Sequence, residues 1–310
     1  MRDNIQAVVA EIGDVLYGKE EKIKLALTCL LSDGHLLIED LPGMGKTTLA
    51  HALAQVLGLS YQRVQFTSDM LPADILGVSV FDTDTSRFRF HPGPVFTQLL
   101  LADEVNRTTP KTQSALLEAM EEGQVSIEGE TRPLPDPFFV VATQNPQSQM
   151  GTFPLPESQL DRFLMRISLG YPDPASEKRL FTGGDPRAQV SAIRPLLKPE
   201  QLPEIKAAIA RIKTSDSLID YLQRLIHYTR HDSDFSIGLS PRGALALLRA
   251  AKTWAYIHGR SFVIPEDIQA LVPAVVTHRI TPSANWGDSG EHALVTQLLN
   301  AVDVVSPCAT

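Results

Sequence analysis

Glu39-Asp40-Leu41-Pro42-Gly43-Met44-Gly45-Lys46-Thr47-Thr48 runs from the end of an apolar segment into a glycine-bearing loop that closes on Gly-Lys-Thr. Upstream, His35-Leu36-Leu37-Ile38 reads as a buried strand; downstream, Thr47 to Leu57 carries apolar residues at helical spacing, so the loop opens a helix. A loop feeding a helix N-terminus aims unpaired backbone N–H groups at one point, where the helix dipole also favours negative charge. Gly43 and Gly45 let the backbone approach phosphate oxygens with no Cβ in the way, and Pro42, Met44 and Thr48 complete the cradle. Lys46 is expected to reach the terminal phosphates of a nucleoside triphosphate, with the Thr47 hydroxyl on Mg²⁺. Asp40 departs from the textual pattern, which has its first glycine there. Over so short a stretch, a plain glycine turn joining strand to helix is the competing reading.

A nucleotide hydrolase also needs carboxylates at the end of a neighbouring strand, and Leu99-Leu100-Leu101-Ala102-Asp103-Glu104 supplies them. Its apolar run suits a fully buried parallel strand, and the acids emerge at the carboxyl end, where open α/β sheets bind ligands. Asp103 is expected to hold the Mg²⁺ shell, and Glu104 to orient and deprotonate the attacking water. Phe138-Phe139-Val140-Val141-Ala142-Thr143-Gln144-Asn145-Pro146 delivers a short amide to the end of another buried strand. Asn145 there can hydrogen-bond both the water and the γ-phosphate, although Asn-Pro also simply begins turns. Two arginines are candidates for transition-state charge: Arg162, before the strand-like Leu164 to Leu169, and Arg242, on a first helical turn capped by Ser240 and opened by Pro241. Either guanidinium is otherwise an ordinary surface charge.

These residues together resemble the MoxR family of AAA+ ATPases. The match begins at Val15-Leu16-Tyr17-Gly18, similar to the adenine-side segment, and runs through Ser240-Pro241-Arg242. Its most specific marks are Leu41 to Thr47, Asp103-Glu104-Val105-Asn106-Arg107, Gln113 to Met120, Ala142 to Pro146, and Leu155-Pro156-Glu157 followed by Gln159-Leu160-Asp161-Arg162-Phe163. In that family an Asp is common at the place of Asp40. The resemblance implies a P-loop AAA+ core followed by a smaller all-helical lid, ATP and Mg²⁺ as ligands, and a homo-hexameric ring. It further implies chaperone-like remodelling or maturation of protein clients, commonly with a partner bearing a von Willebrand factor A domain. By the same resemblance Asn145 is sensor 1, Arg162 the arginine finger, with Arg107 the other candidate, and Arg242 sensor 2, acting within its own chain or on a neighbour.

The chain's 310 residues, 43% of them hydrophobic, suffice for a sizeable core. Buried strands alternate with helices over Leu36–Glu39, Tyr61–Phe66, Leu99–Ala102, Phe138–Thr143 and Leu164–Leu169, which predicts a parallel sheet covered on both faces. After Gly170 strand signals fade and Gly183-Gly184-Asp185-Pro186 reads as a connector. Helices are predicted over Lys198–Lys213, Ser217–Arg230, Ser240–His258, Pro265–His278 and Glu291–Val305. The division expected is an α/β nucleotide-binding core over 1–190 and a helical lid over 191–310. Two hairpin insertions, Gly77 to Phe90 with Phe88 and Phe90 on one face, and Gln124 to Leu134, are either pore-facing elements or edge protection.

With 28 Lys and Arg against 36 acids, the net charge is −8, and no basic run stands out. Protein partners therefore fit better than nucleic acid, although a nucleic-acid motor or loader on the same core is the alternative. No apolar stretch of membrane-spanning length and no signal-peptide core are present, and the two cysteines, Cys29 and Cys308, lie far apart without ligand spacing; a cytoplasmic protein is expected. His227 and His231 have helical i,i+4 spacing, but a transition-metal site wants three or four convergent ligands, so a solvated helix end is the preferred reading.

Overall fold

A computed structural model of the chain describes residues 2–84, 86–145, 151–183, 186–284, 286 and 290–305. Helices α1 (Arg2–Gly13) and α2 (Glu20–Leu31) lead to strand β1 (Leu36–Glu39), followed by α3 (Lys46–Val56) and β2 (Tyr61–Gln65). Helix α4 (Pro72–Leu76) precedes a hairpin of β3 (Gly77–Asp82) and β4 (Arg87–Pro92), then β5 (Leu99–Asp103) and α5 (Pro110–Glu122). A second hairpin, β6 (Gln124–Ile127) with β7 (Glu130–Pro133), comes before β8 (Phe139–Gln144), α6 (Glu157–Leu160) and β9 (Met165–Ile167). Beyond lie α7 (Pro174–Thr182), α8 (Pro186–Ala192), α9 (Leu202–Ala210), α10 (Asp216–His231), β10 (Phe235–Ile237), α11 (Pro241–Ile257), α12 (Pro265–Val275), β11 (Thr281–Pro282) and α13 (Gly290–Ala301).

The main sheet is parallel with the order β2-β5-β8-β1-β9. Its three inner strands are apolar on both faces, as a sheet covered by helices on each side requires. The alternation of strand side chains divides the core in two. Leu36, Ile38, Leu99, Leu101, Phe139 and Val141 point to the face packed by α1, α2 and α3, while Leu37, Leu100, Ala102, Val140 and Ala142 face Phe66, Leu116, Leu117 and Phe163. The first of these clusters continues into the carboxyl-terminal helices, where Leu247, Ala250, Ile268 and Leu271 are buried. Polar ties reinforce that junction: Ser32 Oγ and Thr253 Oγ1 lie 2.7 Å apart, and Gln6 Nε2 donates to the Ile257 carbonyl at 2.5 Å.

The carboxyl-terminal part is helical, with one addition that the sequence pattern does not reveal: β10 and β11 form a short antiparallel ribbon, Phe235 opposite Pro282. A two-residue strand is too short to carry an alternation signal. The stretch read as a connector instead sits between two helices, α7 and α8, although Gly184 and Asp185 lie outside the described residues. Asp173 caps α7 through Ala175 N and Ser176 N, both at 3.0 Å, a cap-plus-proline start in the sequence. The helix read over Lys198–Lys213 is shorter, because Pro199–Gln201 forms a 3₁₀ turn and Lys213 pairs with Phe262 in a bridge. Pro146 and Cys308 also lie outside the described residues, and Cys29 is buried with its thiol pushed up by desolvation. Among the described residues no helix is long and apolar enough to cross a membrane.

Candidate active site

Because β5, β8 and β1 are parallel neighbours, their carboxyl ends line up on one edge. Ala102 pairs with Ala142 and Glu39 with Gln144, so the residues that follow β1 and β5 flank the end of β8. Here the structure brings Lys46, Asp103, Glu104 and Asn145 together. Thr143 Oγ1 donates to Asp103 Oδ1 at 2.6 Å and accepts from Glu104 N at 2.9 Å, fixing both acids against β8. Asn145 Nδ2 donates to Glu104 Oε1 at 3.0 Å. Glu104 Oε2 accepts from Gln65 Nε2 at 2.9 Å and pairs with Arg107 Nε at 2.8 Å. Glu104 has a left-handed backbone, φ 58°, uncommon for a residue with a Cβ; such outliers cluster where a side chain must be aimed.

Lys46 is buried at the first turn of α3, and its Nζ donates to the Asp40 carbonyl at 2.6 Å. Burial pushes its pKa below the ordinary lysine value, while the charges of Asp40, Asp103 and Glu104 act in the opposite direction. Gly45 caps α3 with φ 92°, and a Cβ there would lie 2.8 Å from Leu16 Cδ1, so the loop closes against the segment before Tyr17. Pro42 and Gly43 are exposed on the loop, whereas Met44, Thr47 and Thr48 are half-buried.

Asp40, the departure from the glycine pattern, has a structural task. Its Oδ2 accepts from Leu169 N at 2.7 Å, Gly170 N at 2.8 Å and Ser168 Oγ at 3.1 Å, and its Oδ1 from Leu41 N at 3.0 Å. The carboxylate thus ties the loop entry to the chain leaving β9. On the Tyr17-Gly18 side, the Arg179 guanidinium lies 4.1 Å from the Tyr17 ring centroid, and Lys19 Nζ donates to the Tyr171 carbonyl at 2.6 Å. A Cβ on Gly18, φ 69°, would run into Ser176 Oγ and Asp173 Oδ2, so the start of α7 presses on this segment.

Asp103 and Thr47 suit Mg²⁺, which takes hard oxygen ligands and usually only one or two carboxylates, with phosphates and water completing its shell. Asp103 accepts from Thr143 Oγ1 and from Arg63 Nη2 and Nε, at 2.7 and 3.2 Å, leaving room among the roughly four acceptor sites of a carboxylate. Among the described residues no cluster of three or more His, Cys, Asp or Glu could cage a metal alone. Arg63, Gln65 and Thr143 are site residues that the sequence reading misses. Arg63 and Gln65 alternate on one face of β2, whose edge place beside β5 emerges only from the sheet order.

Arg162 and Arg242 are not brought to this cradle. Leu164 N bonds the His35 carbonyl at 2.9 Å, which puts the Arg162 segment at the amino end of β1, roughly 13 Å of strand from the loop that follows Glu39. There both arginines converge on one carboxylate: Arg162 Nε lies 3.2 Å from Glu121 Oε2 and Arg242 Nη1 2.9 Å from Glu121 Oε1. They line a groove of about 760 Å³ together with His35, Arg249 and Arg279. Ser240 caps α11 by accepting from Gly243 N at 3.1 Å, which sets Arg242 on the first turn.

Residues 35–165 match the ATPase family associated with various cellular activities (AAA), and residues 227–298 match the AAA lid domain. The chain is 37% identical over 286 residues to Chaperone MoxR1 of Mycobacterium tuberculosis, covering 89% of this chain and 75% of that protein. It belongs to the MoxR family of AAA+ ATPases. It is thus an ATPase, and its family is one of nucleotide-binding, chaperone-like proteins. Similarity extends along nearly the whole chain: 42% identity to the uncharacterized protein YeaC of Bacillus subtilis covers 96% of this chain and 93% of YeaC. The crystal structure of a candidate ATPase from Cytophaga hutchinsonii superposes with a TM-score of 0.87 at 36% identity, covering 97% of this chain and 95% of that one.

Proposed function

We propose that this chain hydrolyses ATP with Mg²⁺ in a homo-hexameric ring of its own copies. The cycle serves to remodel or mature partner proteins, among them a protein with a von Willebrand factor A domain. Residues 1–190 act as the nucleotide core and residues 191–310 as the lid. The observation that carries this is the 3.0 Å hydrogen bond from Asn145 Nδ2 to Glu104 Oε1 at the strand edge beside Lys46. It sets the amide and the carboxylate side by side, where both could reach one water beside a γ-phosphate.

Lys46 and the backbone of Pro42 to Thr48 bind the phosphates, with Tyr17 and Gly18 on the adenine side. Asp103 and Thr47 would hold Mg²⁺, which when bound neutralises charge on the phosphate oxygens. Glu104 takes the proton from the attacking water while Asn145 orients it. Arg162 and Arg242, directed away from their own cradle, reach the triphosphate of the next subunit. We take Arg162 rather than Arg107 as the finger, a choice supported by the pairing of Arg107 with Glu104 in its own chain. The net charge of −8 favours protein clients over nucleic acid, the name Chaperone MoxR1 agrees, and the buried free Cys29 suits a cytoplasmic setting.

Glu104→Gln tests this, because it removes the base and leaves the phosphate cradle. Expected are retained ATP, lost turnover and an ATP-locked larger assembly in light scattering, whereas Lys46→Ala loses ATP itself. Wild-type turnover in Glu104→Gln would refute the water-activating role.

A further inference from the structure

We propose that Arg279, on the lid, is a positioning residue that holds the segment carrying Arg162 and so sets where that arginine is presented to the next subunit. Arg279 ends the 3₁₀ turn Thr277–Arg279 after α12, and its side chain is only 4% exposed. Its guanidinium brackets Arg162 from both sides. Nε donates to Asp161 Oδ1 at 2.7 Å and Nη2 to the Asp161 carbonyl at 3.2 Å, while Nη2 also reaches the Phe163 carbonyl at 2.6 Å and Nη1 the Leu164 carbonyl at 3.0 Å. Nη1 further donates to the carbonyl of Val275, the last residue of α12. One planar group therefore ties the end of a lid helix to the backbone immediately before and after Arg162.

The same side chain touches the element that carries Arg242. A Cβ on Gly243 would lie 3.0 Å from Arg279 Cδ, so the stem of Arg279 runs against the first turn of α11, next to Arg242. His278 adds a second tie, its Nε2 lying 3.0 Å from the Phe163 carbonyl. A rigid planar fork can serve several acceptors in fixed directions, which a lysine ammonium cannot. Lid movement is thereby handed to both arginines at once: the lid that reports one nucleotide moves the groups offered to the next.

The inference rests on the proposed role of Arg162, and the experiment separates the two. ATP turnover and ATP binding by the full chain are measured for Arg162→Ala, Arg279→Lys and the double variant, with thermal melting as the check on folding. A displacement of about 1 Å in a positioned group costs on the order of 100-fold in rate, so Arg279→Lys is expected to lower kcat by roughly 10- to 100-fold with ATP binding kept. The double variant is expected to be no slower than Arg162→Ala alone, since a misplaced arginine and a missing one have the same defect. A clamp that merely glues lid to core would instead give losses that multiply. Multiplying losses, or unchanged turnover in Arg279→Lys, overturn the inference while a slow Arg162→Ala upholds the finger. Unchanged turnover in Arg162→Ala removes the finger reading and this one together. Should Arg279→Lys fail to fold, Asp161→Asn with Arg279→Gln replaces the ion pair by neutral planar amides and is judged by the same masking.

Discussion

Restoring the missing glycine of the phosphate loop is expected to damage this protein. Asp40→Gly would bring the loop into line with the general pattern, yet the Asp40 carboxylate accepts from Leu169 N, Gly170 N, Ser168 Oγ and Leu41 N. The Leu169 bond is buried, so its donor would lose its partner with no water to replace it, at about 1–3 kcal/mol. Gly170 N and the Ser168 hydroxyl are part-buried and lose less, because solvent reaches them. A glycine at the end of a strand adds about 0.5–1 kcal/mol of backbone entropy. The total expected is roughly 3–5 kcal/mol, a large fraction of a typical domain's stability. Urea unfolding at neutral pH reads this as a lower midpoint at unchanged slope. ATP affinity is expected to fall as well: the backbone carbonyl that accepts from Lys46 Nζ remains in the glycine variant, but the loop entry that carries it is no longer tied to the chain leaving β9. Asp40→Asn keeps one acceptor oxygen and should fall in between. A glycine variant within about 0.5 kcal/mol of wild type would show that the tie between the loop and the end of β9 is dispensable.

Gly45→Ala places a Cβ at φ 92° and 2.8 Å from Leu16 Cδ1; at roughly 1–2 kcal/mol for the backbone alone, it is expected to weaken ATP binding by about 5- to 30-fold in a calorimetric titration, and wild-type affinity would count against the cradle. Glu121→Gln removes the carboxylate shared by Arg162 and Arg242, which must give them up before they can reach a neighbour's triphosphate; part-exposed pairs contribute about 0–1 kcal/mol, so ATP-dependent assembly is expected at up to about fivefold lower ATP, and a higher midpoint in light scattering would refute that competition. Desolvation lowers the pKa of His35 to about 4, and Val140 N donates to its Nδ1 at 3.1 Å while its Nε2 faces the Met120 carbonyl at 3.0 Å. The folded state therefore binds fewer protons than the unfolded one between about pH 6.5 and pH 4, so this stability is complete above the unfolded pKa and is lost as pH falls, by about 2 kcal/mol at pH 5. His35→Gln should flatten that part of the pH dependence of the urea midpoint, and an unaltered slope would exclude His35 as its source.

The chemistry was legible along the chain because phosphate and Mg²⁺ demand particular donors at short spacing. Lys46 and Thr47 share one loop and helix turn, Asp103 and Glu104 are consecutive, and Asn145 ends the apolar run that forms β8. Continuous apolar stretches likewise announced β1, β5 and β8, since strands buried on both faces keep their polar residues to the carboxyl ends, where the site begins. Short or half-exposed elements were not legible: β11 has two residues, and α7 and α8 lie in a stretch whose glycines and prolines read as a break.

Sequence alone, then, determined that a phosphate loop, a pair of acids and an amide would each stand at the end of a buried strand, and that a helical region would follow. Tertiary structure decided the rest: that β1 lies beside β8 rather than β2, that Arg63 and Gln65 join the acids, and that Arg162 and Arg242 sit on Glu121 at the opposite end of the sheet. The physical reason is reach. A motif expresses what neighbouring residues do to one ligand, whereas strand order and the Arg279 bridge depend on burying apolar faces and buried donors that are far apart in the chain, and those are settled only when the core closes.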